Sequence, residues 1–119
     1  MYPYLYDRCL DVRCDTIRAI GHLGVGHIGG CLSVVELLAV LYFEQMRIDP
    51  NNPKKAGRDR FICSKGHAGP AVYATLANRG YFDKKELLTL NLGMRLMKSR
   101  SHEETAVHMT TDYTGEFVK

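Results

Sequence analysis

The sequence predicts an α/β domain that is mostly helical in the portion present and has one clear strand. Apolar residues recur at helical spacing in several segments, residues 60–64 form a short run that is apolar in its middle, and glycine-rich turns separate these segments. A lone strand leaves backbone N–H and C=O groups unpaired. Its neighbours must therefore come from the tail, from a partner chain or from a larger domain of which this is the opening portion.

The first helix is predicted over residues 5–20, where apolar positions alternate with Arg and Asp at helical spacing, and it is expected to end at Gly21. Ser33 and Glu36 then have the spacing of a capping box. The helix that follows them is apolar on most sides, so we expect it to be buried.

A third helix is predicted to begin at Pro70 and to end at Gly80, directly after the strand and its glycine turn. Asp83 and Glu86 are placed as cap and third-position acid of a short fourth helix. Residues 94–119 are polar and weakly periodic, so no firm structure is predicted there.

Composition indicates one soluble domain. The chain has 119 residues, 45% of them hydrophobic, and a net charge of +3 without a basic stripe, which argues against a nucleic-acid-binding protein. Four cysteines without a leader pattern at the N-terminus favour a reducing, cytoplasmic setting. The most apolar run, residues 37–43, is flanked by Glu36 and Glu44 and is too short to span a bilayer.

Two Gly-His elements carry the chemistry of the sequence: GHIGG at residues 26–30 and SKGHAGP at residues 64–70. Glycine lets the backbone approach a ligand closely, a helix start offers N–H donors to anions, and imidazole can transfer a proton near neutral pH. The pair of elements predicts one phosphate-bearing ligand held from two sides by His27 and His67.

Two competing interpretations are weaker. Residues 24–29 satisfy a G-x-G-x-x-G pattern with Asp49 further along, but a dinucleotide site requires a buried strand before the glycines, and a charged helix precedes them here. Cys63 and His67 have a spacing that zinc ligands use, but no second pair completes a zinc set. Cys31 and Cys63 are therefore expected to be buried small hydrophobes.

Several elements in register resemble the N-terminal part of transketolase, and in particular the N-terminal subunit of split transketolases. The resemblance covers about residues 8 to 91 and rests on GHIGGCLS at 26–33, IDP at 48–50, RDRF at 58–61, SKGHA at 64–68 and RGYF at 79–82.

The resemblance implies a partial thiamine diphosphate-binding fold, with thiamine diphosphate and Mg²⁺ as cofactors. The implied activity is transfer of a two-carbon ketol unit between sugar phosphates. His27 is the implied substrate-contacting and proton-transfer residue, and His67 is the implied ligand near the diphosphate. Implied partners are a second copy in a homo-oligomer and a C-terminal transketolase subunit.

The resemblance divides the chain into residues 1–92, the N-terminal portion of the diphosphate-binding domain, and residues 93–119, a diverged tail. His102 or Ser99 occupies the position of the family's third histidine, and both assignments stay open. We take His102 as a second catalytic candidate.

Asp112, Tyr113 and Thr114 fall where the family has a glycine-rich cofactor-binding segment. Asp112 and Glu116 place negative charge where a diphosphate would lie, which is unfavourable. The family's Gly-Asp-Gly magnesium segment does not occur in these residues, so no metal ligand is predicted. We therefore expect the chain to need further sequence or a partner chain for activity, the alternative being a noncatalytic remnant that acts only in association.

Overall fold

A computed structural model describes residues 2–24, 26–89 and 107–109 of the protein. In chain order the elements are α1 (Pro3–Leu23), α2 (Ile28–Leu32), α3 (Val35–Val40), a π-helical turn (Leu41–Gln45), β1 (Phe61–Cys63), a 3-10 turn (Gly66–Ala68), α4 (Gly69–Arg79), a 3-10 helix (Lys84–Thr89) and β2 (Val107–Met109). The mostly helical character and the strand at residues 61–63 confirm the sequence prediction.

The strand β1 has a neighbour in the tail. Strand β2 pairs with it in parallel, with Phe61 opposite Val107 and Cys63 opposite Met109. The sequence predicts no firm structure for this segment, because three residues carry too little periodicity to indicate a strand. Of the three possible sources of a neighbouring strand, the structure shows the tail.

Helix α1 is longer than predicted. It continues through Gly21 to Leu23 and ends where Gly24 takes a left-handed φ of 85° and donates its N–H to the Ile20 carbonyl at 2.8 Å. The predicted end at Gly21 is wrong, because a helix stops at the glycine that adopts this closing conformation and not at the first glycine along the chain.

The predicted capping box is also wrong. The Ser33 hydroxyl donates to the Gly30 carbonyl at 3.0 Å and accepts from the Lys65 ammonium, while the Glu36 carboxylate pairs with Arg13 of α1. Helix α3 starts after Val34 without a side-chain cap. Both polar side chains are thus used between elements, which a local pattern does not reveal.

The second predicted helix is buried on one face only. Val35 and Leu38 are fully buried, whereas Leu37 is 57% exposed. The 18-residue segment Ile28–Gln45 has a mean hydropathy of 1.4 and fits a membrane span by length and composition, a test that core helices also pass. A turn at residues 33–34 interrupts this segment.

Helix α4 is the centre of the core. Pro70 lies in its first turn and Gly80 closes it with a φ of 107°, as predicted. Every residue from 69 to 77 is buried, and α4 packs against both α1 and α3. After it, Asp83 accepts the Lys85 N–H at 2.9 Å, which confirms Asp83 as a cap, although the helix that follows is 3-10.

A buried carboxylate joins three elements. Asp15 of α1 is 6% exposed and accepts from the Asn78 side-chain amide of α4 at 2.8 Å. It also pairs with Arg18 at 3.1 Å and with Lys84 at 3.2 Å. Because buried charge is costly unless it is paired and hydrogen-bonded, this network specifies how α1 meets α4. The two Gly-His elements follow α1 and precede α4, so the network also constrains where they lie.

Candidate functional site

The fold brings the two Gly-His elements together. The His27 and His67 rings lie 4.3 Å apart between centroids, tilted by 42°, and both residues are exposed to solvent. His27 immediately precedes α2, and His67 lies in the 3-10 turn that leads into α4. The structure thus brings together the two elements that the sequence predicts to share one ligand, and the ligand itself stays a prediction.

His27 is positioned by a tight passage of the backbone over the end of α1. A Cβ built on Gly26 would lie 2.9 Å from Cγ2 of Ile20, closer than carbon atoms can approach without a shift. A side chain at residue 26 would therefore force Ile20 to shift, so glycine suits this route of the chain to His27. The Cys31 N–H then donates to the His27 carbonyl at 3.0 Å, which starts the turn of α2.

His67 is positioned by a buried backbone. Its neighbours Gly66 and Ala68 are both buried, and the Ala68 N–H donates to the Lys65 carbonyl at 3.0 Å. The side chain of His67 remains exposed between these two buried neighbours. The strand, turn and helix around it thus hold the main chain in the core and leave the imidazole accessible.

Two thiols contact the same turn. Cys63 Sγ donates to the Lys65 carbonyl at 3.2 Å, and Cys31 Sγ donates to the His67 carbonyl at 3.4 Å. Burial raises the pKa of both thiols above the usual value for cysteine. None of the four cysteines, all of which lie in the described residues, forms a disulfide.

Lys65 adds a cation beside the histidines. Its ammonium Nζ donates to Ser33 Oγ at 2.8 Å, and a Cβ built on Gly30 would lie 3.6 Å from Lys65 Cε and 3.8 Å from His27 Cβ. The lysine stem therefore passes over the glycines of α2 next to His27. A fixed lysine at this point raises the positive potential where an anion would meet both imidazoles.

The donor set fits the diphosphate group of thiamine diphosphate. The His67 imidazole and the Lys65 ammonium can supply N–H donors beside His27, and charge-assisted hydrogen bonds to phosphate oxygens are the strong ones. Magnesium is a different case: in the described part of the chain, no group of three His, Cys, Asp or Glu side chains could hold a metal ion. The residues described here thus fit the anion.

Several predicted site residues lie outside the described residues. These are the catalytic candidate His102, its alternative Ser99, and the cofactor-binding candidates Asp112, Tyr113 and Thr114. Their roles stay predictions. The sequence alone does not indicate the bond from Lys65 to Ser33, and it favours a small buried hydrophobe at Cys31, because nothing in a local pattern shows a bond to a distant turn.

Residues 8–115 match the family described as the thiamine diphosphate binding domain of transketolase. The chain belongs to this family. The match continues past residue 91, where the resemblance seen in the sequence motifs ends, and it includes strand β2.

Individual relatives agree with the family. The chain is 48% identical over 107 residues to the 6-deoxy-6-sulfo-D-fructose transketolase subunit SqwG of Clostridium sp., and the match covers 88% of this chain and 39% of the relative. It is 48% identical over 65 residues to one of the subunits of the apulose-4-phosphate transketolase of Phocaeicola vulgatus, covering 55% of this chain and 23% of the relative.

The human transketolase is 41% identical over 86 residues, covering 72% of this chain and 14% of the human protein. The chain thus spans well under half the length of these relatives. The resemblance to N-terminal subunits of split transketolases is confirmed, since two of the relatives are named as subunits.

Proposed function

We propose that this chain forms the N-terminal part of a transketolase, which transfers a two-carbon ketol unit between sugar phosphates and is completed by further sequence or by a partner chain. The observation that carries the proposal is the His27–His67 pair, 4.3 Å apart, in a domain whose family binds thiamine diphosphate. In this proposal β1 and β2 belong to a larger parallel sheet, so that the complete domain has an α/β fold.

Each residue of the site has a distinct proposed task. Thiamine diphosphate, when bound, supplies the carbanion stabilisation that ketol transfer needs. His67 donates a hydrogen bond to the diphosphate, and Lys65 adds positive charge from the same turn. His27 orients a substrate hydroxyl and moves its proton, a task suited to an exposed imidazole.

The relatives support the proposed substrates and partners. Their names refer to a sulfo-sugar and to a sugar phosphate, and two of them are named as subunits. We propose sugar phosphates as substrates, within carbohydrate metabolism such as the pentose phosphate pathway. A C-terminal transketolase subunit, in a homo-oligomeric assembly, is the proposed partner, Mg²⁺ is held by residues beyond those described, and the setting is cytoplasmic.

One observation favours the alternative, a noncatalytic remnant that only associates with a partner. Tyr6, Leu10 and Ile17 are 75%, 59% and 47% exposed and follow one face of α1 at helical spacing. Beside this face, a groove of about 380 Å³ between α1 and α3 is lined by Leu5, Val40 and neighbouring side chains. Exposed apolar surface of this kind marks a site of association, which is the one task that the alternative assigns to the chain.

Titration calorimetry distinguishes the two functions. Thiamine diphosphate with Mg²⁺ is titrated into the chain with and without a candidate C-terminal transketolase subunit, using wild type, His67→Ala and the control His22→Ala. His22 is also exposed but lies in the last turn of α1. We expect binding that His67→Ala weakens at least about tenfold and His22→Ala leaves unchanged. Absence of binding with the partner present would contradict the proposal and favour the association-only function.

The activity itself is measured with sugar phosphates. The same chain and partner are assayed for ketol transfer, and His27→Ala is compared with wild type and with His22→Ala. Loss of a positioned acid–base group typically lowers the rate by about 10²–10⁴-fold. We therefore expect His27→Ala to lower kcat strongly while the affinity for thiamine diphosphate changes little. An unchanged kcat would remove His27 from the reaction.

A further inference from the structure

Cys31 is bonded to the backbone of both histidine elements. Its N–H donates to the His27 carbonyl at 3.0 Å, and its thiol donates to the His67 carbonyl at 3.4 Å. One residue thus connects the start of α2 with the turn before α4. Cys31 is therefore hydrogen-bonded to the backbone of both residues whose imidazole rings lie 4.3 Å apart.

Cys63 contacts the other end of the same turn. Its thiol donates to the Lys65 carbonyl at 3.2 Å, and Cys63 is itself the last residue of β1. The two carbonyls that accept from these thiols belong to Lys65 and His67, which are separated in the sequence by Gly66. The turn is therefore held at both ends by sulfur, from α2 on one side and from β1 on the other.

Burial determines what these thiols can do. Cys31 is 0% exposed and Cys63 is 7% exposed. Their raised pKa keeps both protonated at neutral pH, so they act as hydrogen-bond donors and are poor nucleophiles. An S–H donor is weak, so we expect these bonds to direct the backbone carbonyls more than to stabilise the fold. These cysteines are suited to orient backbone and not to react.

We propose that Cys31 is a positioning residue for the site: by bonding to the carbonyls of His27 and His67 it sets the spacing of the two imidazoles, with Cys63 holding the far end of the turn. The importance of this spacing for catalysis rests on the proposed function. The spacing itself does not, because it follows from hydrogen bonds within this chain, so the spacing proposal and the functional proposal can fail separately.

The test measures the spacing directly. In the full chain labelled at histidine, the nuclear Overhauser effect between the His27 and His67 ring protons is recorded for wild type, Cys31→Ala, Cys31→Ser and Cys9→Ala. Cys9→Ala is the matched control, because Cys9 is a buried thiol of the same hydrophobic core and lies on α1. Thermal unfolding of each variant reports the loss of stability separately.

We expect the ring-to-ring signal in wild type, its loss in Cys31→Ala, and its recovery in Cys31→Ser, since a hydroxyl restores a donor at the same position. Cys9→Ala should lower the unfolding temperature and retain the signal. A signal that persists in folded Cys31→Ala, or that Cys9→Ala also removes, would overturn the proposal.

A measurement on wild type covers the case in which Cys31→Ala does not fold. The Raman S–H stretching band of a thiol moves to lower frequency when the thiol donates a hydrogen bond, and the difference spectrum between wild type and Cys31→Ser isolates the band of Cys31. A bonded band supports the proposal. A band at the frequency of a thiol without an acceptor would overturn it.

Discussion

The Lys65 ammonium donates to the Ser33 hydroxyl at 2.8 Å, across the gap between the second Gly-His element and the end of α2. Ser33 in turn donates to the Gly30 carbonyl at 3.0 Å, so the lysine is held by a residue that is itself fixed. This bond holds a positive charge beside the histidines, where the proposed diphosphate would bind. Removal of the Lys65 charge should therefore affect anion binding more than it affects folding.

Lys65→Met should weaken binding of thiamine diphosphate, measured by calorimetry with the partner subunit present, by roughly 10- to 100-fold, because an interaction of a charged donor with phosphate contributes about 1.5–3 kcal/mol. Ser33→Ala should weaken this binding less, since the Lys65 ammonium remains and only loses the hydrogen bond that fixes its position. The control is Lys55→Met, which removes an exposed lysine of the loop before β1. Equal affinity of Lys65→Met and wild type would exclude Lys65 from the anion site.

Gly26→Ala should destabilise the chain by about 1–3 kcal/mol in urea unfolding, the usual cost of forcing extra volume into a packed site. The new Cβ would lie 2.9 Å from Ile20 Cγ2. Gly29→Ala is the paired control: Gly29 lies in α2, and a Cβ there meets nothing within 4 Å. It should be neutral or stabilising by up to about 1 kcal/mol. The reverse order of the two variants would contradict the proposed route of the backbone.

Asn78→Ala should lower the free energy of unfolding by about 1–3 kcal/mol, because it removes a donor from the buried Asp15 carboxylate. Asn52→Ala, in the exposed loop after α3, should change it by less than about 0.5 kcal/mol. Chemical unfolding monitored by circular dichroism compares the two variants. If both variants matched wild type, the contact between α1 and α4 would not depend on this amide.

The loop that leads into β1 should contribute stability that depends on pH. Hydrogen bonds from the Arg47 side chain and backbone N–H lower the pKa of Asp59, with the N–H bond at 2.7 Å. A carboxyl group whose pKa is lowered on folding stabilises the protein above its unfolded pKa of about 3.9 and loses that contribution as the pH falls through the folded pKa.

Asp59→Asn should therefore reduce stability at pH 7 and make it fall less steeply below pH 4 than in wild type. Urea midpoints at pH 7 and at decreasing acidic pH values measure this difference. Asp7→Asn, which changes an exposed carboxylate of α1, should retain the wild-type profile. A wild-type profile in Asp59→Asn would show that the pair with Arg47 does not contribute.

The sequence is most informative where one residue type serves one local purpose. Pro70 lies in the first turn of α4 and Gly80 ends the helix, because proline and glycine suit those two backbone positions. The Gly-His elements are likewise recognisable, since glycine and histidine together at a helix start are chemically specific. Their meeting can be anticipated once a single ligand is assumed.

Local patterns fail where a side chain has a choice of partners. Ser33 could cap its own helix or bond to Lys65, and only the packing of α2 against the later turn decides between the two. The thiol of Cys31 resembles core filler in the sequence because its acceptor, the His67 carbonyl, lies far along the chain. Strand β2 escapes prediction for a related reason, since its identity depends on pairing with β1.

The parallel pairing of β1 and β2 has a directional consequence. In a parallel sheet all carboxyl ends face one edge, and open α/β sheets bind their ligands at that edge. Cys63 and Met109 are the paired last residues of the two strands, so the chain leaves both strands on the same side. On β1 that exit leads directly to His67. Strand β2 thus ends at the same edge of the sheet as the end of β1, which is the edge where the proposed ligand would bind.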